Sequence, residues 1–249
     1  MTGRFTSRRA LTLLAACMAA LAGNGAVAGS FSVSPVRIFM EARERATGIT
    51  IINEGDTDLV MQAELFEWKQ KPDGTDQLLP TQDLVLAPPI LKLGKGARQT
   101  VRLANLRPPV PGEQLTYRLI VREVPEALAP GQEGVKIQVA LAFSLPVFIT
   151  PPGAKRDLVC SATRSGPTTM RAICENHGHA YAQPASMTLT TPSGNTLLTS
   201  DIKGGYVLPS ATRSFDLSAD GARIPGGPLK LQVTQDDGSK QVFDVRLPE

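Results

Sequence analysis

Short runs of β-branched and apolar residues, separated by turns, limit the folds open to this chain more than any other feature. The 249 residues include 22 Gly and 20 Pro without a repeating period, so turns are frequent along the whole length. In the turn Lys71-Pro72-Asp73-Gly74, Pro fixes φ and Gly accepts a positive φ. No stretch shows a sustained helical period of about 3.6 residues with caps at its ends. The sequence therefore predicts antiparallel sheets with short helices or none.

The predicted strands form two groups on either side of a proline-containing linker. The first group is 47–52, 59–68, 84–86, 90–93, 99–103, 115–124 and 135–149, and the second is 158–163, 170–175, 185–191, 196–198, 212–217, 229–234 and 241–247. The linker Thr150-Pro151-Pro152-Gly153 separates them, and its prolines lack the backbone donors that strand pairing needs. Seven short strands in about 100 residues are typical of a β-sandwich. We therefore predict an all-β protein with two β-sandwich domains, residues 29–150 and 151–249.

The first 28 residues have the composition of a secretory signal peptide. Arg4, Arg8 and Arg9 precede an apolar run at residues 10–21, and the small-residue triplet Ala26-Val27-Ala28 follows it. We predict cleavage after this triplet, because the run is too short to form a permanent transmembrane helix. Cleavage removes three Arg and no acidic residue, so the formal net charge falls from +3 to 0. A neutral mature chain disfavours electrostatic binding to nucleic acid or to an anionic membrane.

Two other interpretations of this leader stay open. Ser7-Arg8-Arg9 is weakly similar to a twin-arginine signal, and Leu14-Ala15-Ala16-Cys17 could form a lipoprotein box. Simple cleavage is favoured over both, because Cys17 lies inside the apolar run and a better cleavage site follows it.

Export also determines how the two remaining cysteines are interpreted. Cys160 and Cys174 are the two cysteines that follow the predicted signal peptide. Export would place them in a compartment where disulfides persist, so we predict a bond between them. It would close a loop of 15 residues and stabilise the fold by about 3 kcal/mol. The alternative is a metal site made by both cysteines with His177 and His179, but this spacing is unlike the familiar zinc motifs. We expect no metal and no cofactor.

The run that leads into the linker is the longest predicted strand, and its side chains alternate. The odd positions are apolar and most even positions are small or polar: Ile137, Val139, Leu141, Phe143, Leu145 and Val147 alternate with Gln138, Ala140, Ala142 and Ser144. Residues 136–149 would span about 45 Å, more than twice the length of a usual strand. The residues alone favour a strand that fills the core of its own domain. The alternative is an edge strand presented to a partner, which proteins normally avoid because an apolar edge promotes aggregation.

Several short motifs follow one another along the mature chain. They are Ser34-Pro35-Val36-Arg37-Ile38-Phe39, residues 49–53, Pro88-Pro89 with Leu93 and Gly96-Ala97-Arg98, Val101-Arg102-Leu103, Arg122-Glu123-Val124-Pro125, and the alternating strand up to Phe148 and Pro151. In order and spacing they resemble the periplasmic pilus-assembly chaperones, the PapD-like family with two immunoglobulin-like domains. The second domain resembles the family only in length, strand count and linker position.

The resemblance implies a chaperone of the periplasm that works by donor-strand complementation, a form of β-augmentation. Pilus subunits lack the last strand of their sandwich, and the chaperone lends its alternating strand until another subunit replaces it. Ile137, Val139, Leu141 and Phe143 are then expected to enter the subunit's groove. The implied partners are pilus subunits and an outer-membrane usher, without nucleic acid or stable membrane insertion.

The family also anchors the subunit's C-terminal carboxylate on basic residues in the cleft between the domains. Arg37 falls on one of these positions, whereas Pro146 stands where the family usually has a Lys. Arg118 and Arg122 lie on one face of the neighbouring strand, and we prefer Arg118 as the second anchor. The missing Lys, together with Tyr117-Arg118, is more similar to the archaic, spore-coat-U-type branch of the family.

Two functions of other classes are alternatives to this interpretation. An exported hydrolase is disfavoured because the sequence has no G-x-S-x-G, H-E-x-x-H, P-loop or G-x-G-x-x-G motif, so we expect no enzyme activity. A pilus subunit or adhesin built from the same sandwiches would carry a long N-terminal extension. Arg37 lies only nine residues beyond the predicted cleavage site, which disfavours that alternative.

Overall fold

The computed structural model describes residues 31–71, 73–108, 111–125 and 140–249. These residues form strands and no helix, so none of them belongs to a helix that could cross a membrane. The predicted signal peptide, and the predicted donor residues Ile137 and Val139, lie outside the described residues.

Ten strands precede the linker and build two packed sheets. They are β1 (Phe31–Ser34), β2 (Ile38–Glu41), β3 (Ala46–Asn53), β4 (Leu59–Gln70), β5 (Asp76–Pro80), β6 (Leu84–Ala87), β7 (Ile90–Leu93), β8 (Arg98–Asn105), β9 (Leu115–Glu123) and β10 (Ala142–Thr150). One sheet has the order β1-β3-β8-β6, and the other has the order β2-β10-β9-β4-β5 with β7 also paired to β4. Alternate side chains from both sheets fill one apolar core, which includes Ile49, Ile51, Leu119 and Val121.

Seven strands follow the linker and form a second sandwich. They are β11 (Leu158–Arg164), β12 (Thr169–Asn176), β13 (Pro184–Thr190), β14 (Thr196–Asp201), β15 (Thr212–Ser218), β16 (Gly227–Gln235) and β17 (Lys240–Leu247). The sheets have the orders β11-β12-β15 and β14-β13-β16-β17. The all-β, two-sandwich fold predicted from the sequence is confirmed.

Three strands of the first sandwich were not predicted. β1 and β2 have four residues each and β5 has five. The predicted strands β6 and β7 are equally short, so length alone does not explain the difference. β10 also differs from its prediction, since within the described residues it begins at Ala142. The neighbouring β9 ends at Glu123 and is followed by Val124-Pro125, where Pro has no N–H to continue the ladder.

The predicted disulfide is present and joins the two strands at the edge of the second sandwich. Cys160 on β11 and Cys174 on β12 lie directly opposite each other, with the sulfurs 2.06 Å apart. Both thiols are therefore unavailable to the alternative metal site. His177 lies instead beside Glu175, 3.4 Å from its carboxylate. Among the described residues no group of three or more His, Cys, Asp or Glu side chains is placed to hold a metal ion.

Gly178 gives a test of how closely the second sandwich packs on the segment after the linker. A Cβ at this position would collide with the backbone of residues 155–157. We expect Gly178→Ala to lower the free energy of unfolding by about 1–3 kcal/mol, the usual cost of overpacking. The measurement is the urea midpoint of the purified protein.

Gly94→Ala is the matched control for this substitution. Its Cβ would have Asp58 Oδ1 as nearest neighbour at 3.8 Å, which is an ordinary contact. An equal change in the two variants would contradict the packing argument.

Candidate functional site

One edge of β10 over residues 142–146 is not paired with any strand of the described residues, and we call this edge the free margin. Along one side, β10 pairs with β9 from Ala142 to Ile149, and Glu123 N–H donates to Leu141 O at 2.9 Å. Along the other side, the parallel partner β2 pairs only with Val147–Thr150. Within the described part of the chain, no strand pairs with that second margin over residues 142–146.

The apolar face of the same strand changes its surroundings along its length. Leu145, Val147 and Ile149 are at most 3% exposed and belong to the core of the first sandwich. Leu141 and Phe143 continue this face but are each 37% exposed. The strand therefore fills its own core with its C-terminal half and offers apolar side chains to the outside with its N-terminal half.

Phe31 gives the exposed end of this face a single aromatic neighbour. Its ring meets that of Phe143 edge-on, with centroids 5.0 Å apart. Phe31 lies on β1, the edge strand of the other sheet. The free margin of β10 and the edge of β1 thus open at the same side of the sandwich.

An aromatic cluster joins the two sandwiches. Phe148 of β10 stacks on Tyr181 with centroids 4.1 Å apart, and Trp68 of β4 meets Tyr206 edge-on at 5.3 Å. Phe39 of β2 extends the stack, 5.7 Å from Phe148, and is 53% exposed. Trp68 and Phe148 are fully buried and belong to the same apolar cluster as the core of the second sandwich.

Two glutamines bridge the sandwiches through their side-chain amides. Gln70 Nε2 donates to Tyr206 O at 2.9 Å while its Oε1 accepts from Leu208 N–H at 3.0 Å. Gln114 Nε2 donates to Thr150 Oγ1 at 2.7 Å while its Oε1 accepts from Tyr181 N–H at 2.8 Å. Each amide uses both its donor and its acceptor, so each fixes direction as well as distance. Together they hold the cleft in one geometry.

Arg37 lies between β1 and β2 and reaches across the cleft. Its Nη1 donates to Gln183 Oε1 at 3.0 Å and to Asp236 Oδ2 at 2.9 Å, both in the second sandwich. Burial acts to lower the pKa of Arg37, but the nearby Tyr206 and Asp236 outweigh it and raise that pKa. The predicted anchor is therefore at the cleft, and it already holds a carboxylate.

Arg118 lies on the outer face of β9, deeper in the same cleft. Its guanidinium carbon is 3.6 Å from the centre of the Trp68 ring and 5.6 Å from that of Tyr206. Its polar partners are distant, with Ser144 O at 3.4 Å and Asp76 at 3.9 Å. Burial lowers the pKa of Arg118, an effect that Asp76 partly offsets.

The strand register explains how Arg118 relates to the missing Lys. Pro146 of β10 lies directly opposite Arg118, and cross-strand neighbours have Cβ atoms about 4.5–5.5 Å apart. Arg122, the other candidate, lies opposite Ala142 and forms an ion pair with Glu64. Of the two arginines, Arg118 is the one at the cleft.

Sequence reasoning missed the polar residues that complete this site. Asp236, Gln183, Gln70 and Gln114 come from loops and strand ends far apart in the chain, and no short-range pattern links them. From the sequence, Trp68 is identified only as the last residue of the predicted strand 59–68. Its Nε1 is buried and has no hydrogen-bond acceptor among the described residues.

The first half of the chain matches a known protein family. Residues 30–155 match the family model described as the pili and flagellar-assembly chaperone, PapD N-terminal domain. The match covers half of the chain, and the chain belongs to this family. The probable fimbrial chaperone LpfB of Escherichia coli O157:H7 is 20% identical over 133 residues, 53% of this chain and 54% of that protein. The chain thus matches about half the length of this curated relative.

Solved structures share the fold over most of the chain. In the CsuC-CsuE chaperone-tip adhesion subunit complex of Acinetobacter baumannii, the matched chain is 22% identical with a TM-score of 0.62, covering 88% of this chain and 100% of that one. The E. coli chaperone DraB is 18% identical with a TM-score of 0.55, covering 89% and 98% respectively. At these identities the similarity shows the fold.

The amide bridge at Gln114 gives a prediction for the cleft. Gln114→Met keeps the side-chain length but leaves Tyr181 N–H without its acceptor, so we expect the free energy of unfolding to fall by about 1–3 kcal/mol. Urea denaturation followed by Trp68 fluorescence, which reports on the cleft, measures this.

Gln62→Met provides the comparison, because among the described residues the side-chain amide of Gln62 bonds to Glu64 of the same sandwich. Equal stability of the Gln114→Met variant and the unmodified protein would show that the bridge contributes nothing.

Proposed function

We propose that this chain is a periplasmic chaperone that binds pilus subunits by donor-strand complementation and delivers them to an outer-membrane usher. The observation that carries the proposal is the free margin of β10 over residues 142–146, next to the exposed Leu141 and Phe143. The family to which the chain belongs supports the chaperone role. The predicted signal peptide supports the periplasmic location.

The free margin supplies both parts of β-augmentation. Backbone groups on that side of residues 142–146 can pair with a strand of the subunit, except that Pro146 has no N–H to donate. Leu141 and Phe143, with Ile137 and Val139 preceding them, would enter the subunit's apolar groove. Each buried side chain of this type contributes about 1.5–3 kcal/mol. Association costs about 4–15 kcal/mol, so several such contacts are needed for a stable complex.

The basic cleft supplies the proposed anchor for the subunit's C-terminal carboxylate. The polar partners of Arg118 are Ser144 O at 3.4 Å and the Asp76 carboxylate at 3.9 Å, both long contacts. A carboxylate that approached the guanidinium more closely would form a stronger charge-assisted hydrogen bond. Arg37 is more exposed and would act as the second group. We propose Arg118 as the main anchor, in the place of the Lys that Pro146 replaces.

A charged substitution on the exposed apolar face of β10 tests whether this strand is the donor strand. We expect Leu141→Glu to lower capture of a tagged pilus subunit of the source organism about tenfold or more, because it would place a charge in an apolar groove. The measurement is the amount of subunit that co-purifies with the chaperone from the periplasm.

Ala142→Glu is the matched control, since Ala142 is exposed, adjacent and on the opposite face, with Arg122 across from it. Circular dichroism checks that both variants fold. Equal loss of the subunit in both, or no loss in either, would refute the donor-strand assignment.

The anchor is tested at its two arginines. We expect Arg118→Ala and Arg37→Ala each to leave the protein folded and to weaken subunit binding about 10- to 100-fold, because hydrogen bonds to a charged group contribute about 1.5–3 kcal/mol. Binding is measured with a subunit that ends in its natural carboxylate and with one that carries an added C-terminal tag.

Arg171→Ala is the control, because Arg171 also forms a surface ion pair, with Asp216, but far from the cleft on the second sandwich. The arginine variants should lose affinity only for the natural carboxylate. Undiminished binding of that subunit by both would exclude the anchor and leave the donor-strand test unaffected.

A further inference from the structure

Asp236 accepts a hydrogen bond from the guanidinium of Arg37 at 2.9 Å. We propose that this carboxylate is an internal competitor of the subunit's C-terminal carboxylate, so that binding exchanges one carboxylate on Arg37 for another. The inference rests on the proposed function of Arg37 as an anchor. In addition, Asp236 of the second sandwich would regulate how strongly Arg37 binds the subunit.

The turn that carries Asp236 is held in place independently of Arg37. Asp236 N–H donates to Gln183 O at 2.9 Å, and Gln235 Oε1 accepts from Gln183 N–H at 3.0 Å. On the far side of the turn, Asp237 accepts from Arg156 at 2.5 Å. The carboxylate of Asp236 is thus positioned by its own hairpin and does not depend on the ion pair for its location.

The ion pair is nevertheless open to a ligand. The side chain of Arg37 is 41% exposed and that of Asp236 is 19% exposed. Among the described residues, both side-chain hydrogen bonds of Arg37 use Nη1, so Nη2 and Nε can still donate to a ligand. An incoming carboxylate can therefore reach Arg37, but it meets a cation that Asp236 already neutralises. The negative charge of Asp236 repels it at the same time.

The competition favours release of the subunit. When a bound carboxylate leaves Arg37, the pair with Asp236 forms again, because the hairpin keeps Asp236 within reach. Re-forming this pair favours the unbound state and lowers the free-energy cost of handing the subunit on. An anchor without such a competitor would hold its ligand more tightly and release it more slowly.

The probe for this competition is acetate, which presents the same chemical group without a pilus subunit. The N–H signals of the arginine side chains are followed by ¹⁵N NMR during titration with sodium acetate, with chloride added to keep the ionic strength constant. We expect Asp236→Asn to lower the dissociation constant of acetate at Arg37 about 1.5- to fivefold, the range that a partly exposed ion pair supplies.

Asp216→Asn is the matched control, because it removes the carboxylate that pairs with Arg171 on the outer surface of the second sandwich. It should leave the titration of Arg37 unchanged. Should Asp236→Asn fail to fold, Asp236→Ala is carried through the same titration.

Equal dissociation constants in the unmodified protein and the Asp236 variant would overturn the competition. So would the absence of any acetate response at Arg37 once Asp236 is neutral. Neither result depends on a pilus subunit, so failure here is distinguishable from failure of the anchor, which Arg37→Ala tests with the subunit itself.

Discussion

The backbone hydrogen bonds of β10 hold its C-terminal half between two strands and leave its N-terminal half paired on one side. At its C-terminal end the strand has β9 on one side and β2 on the other, which fixes its register and holds Val147 and Ile149 in the core. Four residues of β2 suffice for this, and no strand of the described residues continues the pairing. A strand anchored in this way can present its other half to a partner without losing its place in its own sheet.

The cleft depends on a different balance, between apolar packing and charge. The aromatic stack of Phe148 and Tyr181 excludes water from the contact between the sandwiches, and the amides of Gln70 and Gln114 satisfy the backbone groups buried there. These contacts carry no charge, and they add to the hydrogen bonds that Arg37 makes across the cleft.

The alternation of side chains made most strands predictable, because one face of each is buried and the other is not. The same rule missed β1, and it could not show where the apolar face of β10 leaves its core. That point lies between Leu145 and Phe143, beyond the last pairing with β2 at Val147, although β9 still pairs with both residues. The pairing of Arg37 with Asp236 was equally out of reach, since 199 residues separate them. The archaic branch suggested by the sequence stays a prediction.

Arg118 illustrates why a site can persist when its sequence motif changes. The chain has Pro146 where the family usually places a Lys, and a position-by-position comparison would count one cation lost. In a sheet, however, the residue opposite on the next strand occupies nearly the same place, and here that residue is Arg118. Its guanidinium carbon lies 3.6 Å from the centre of the Trp68 ring, a stacking that the planar guanidinium of Arg allows. Arg118 thus places a cation beside Pro146, so the proposed anchor does not require a Lys on β10 itself.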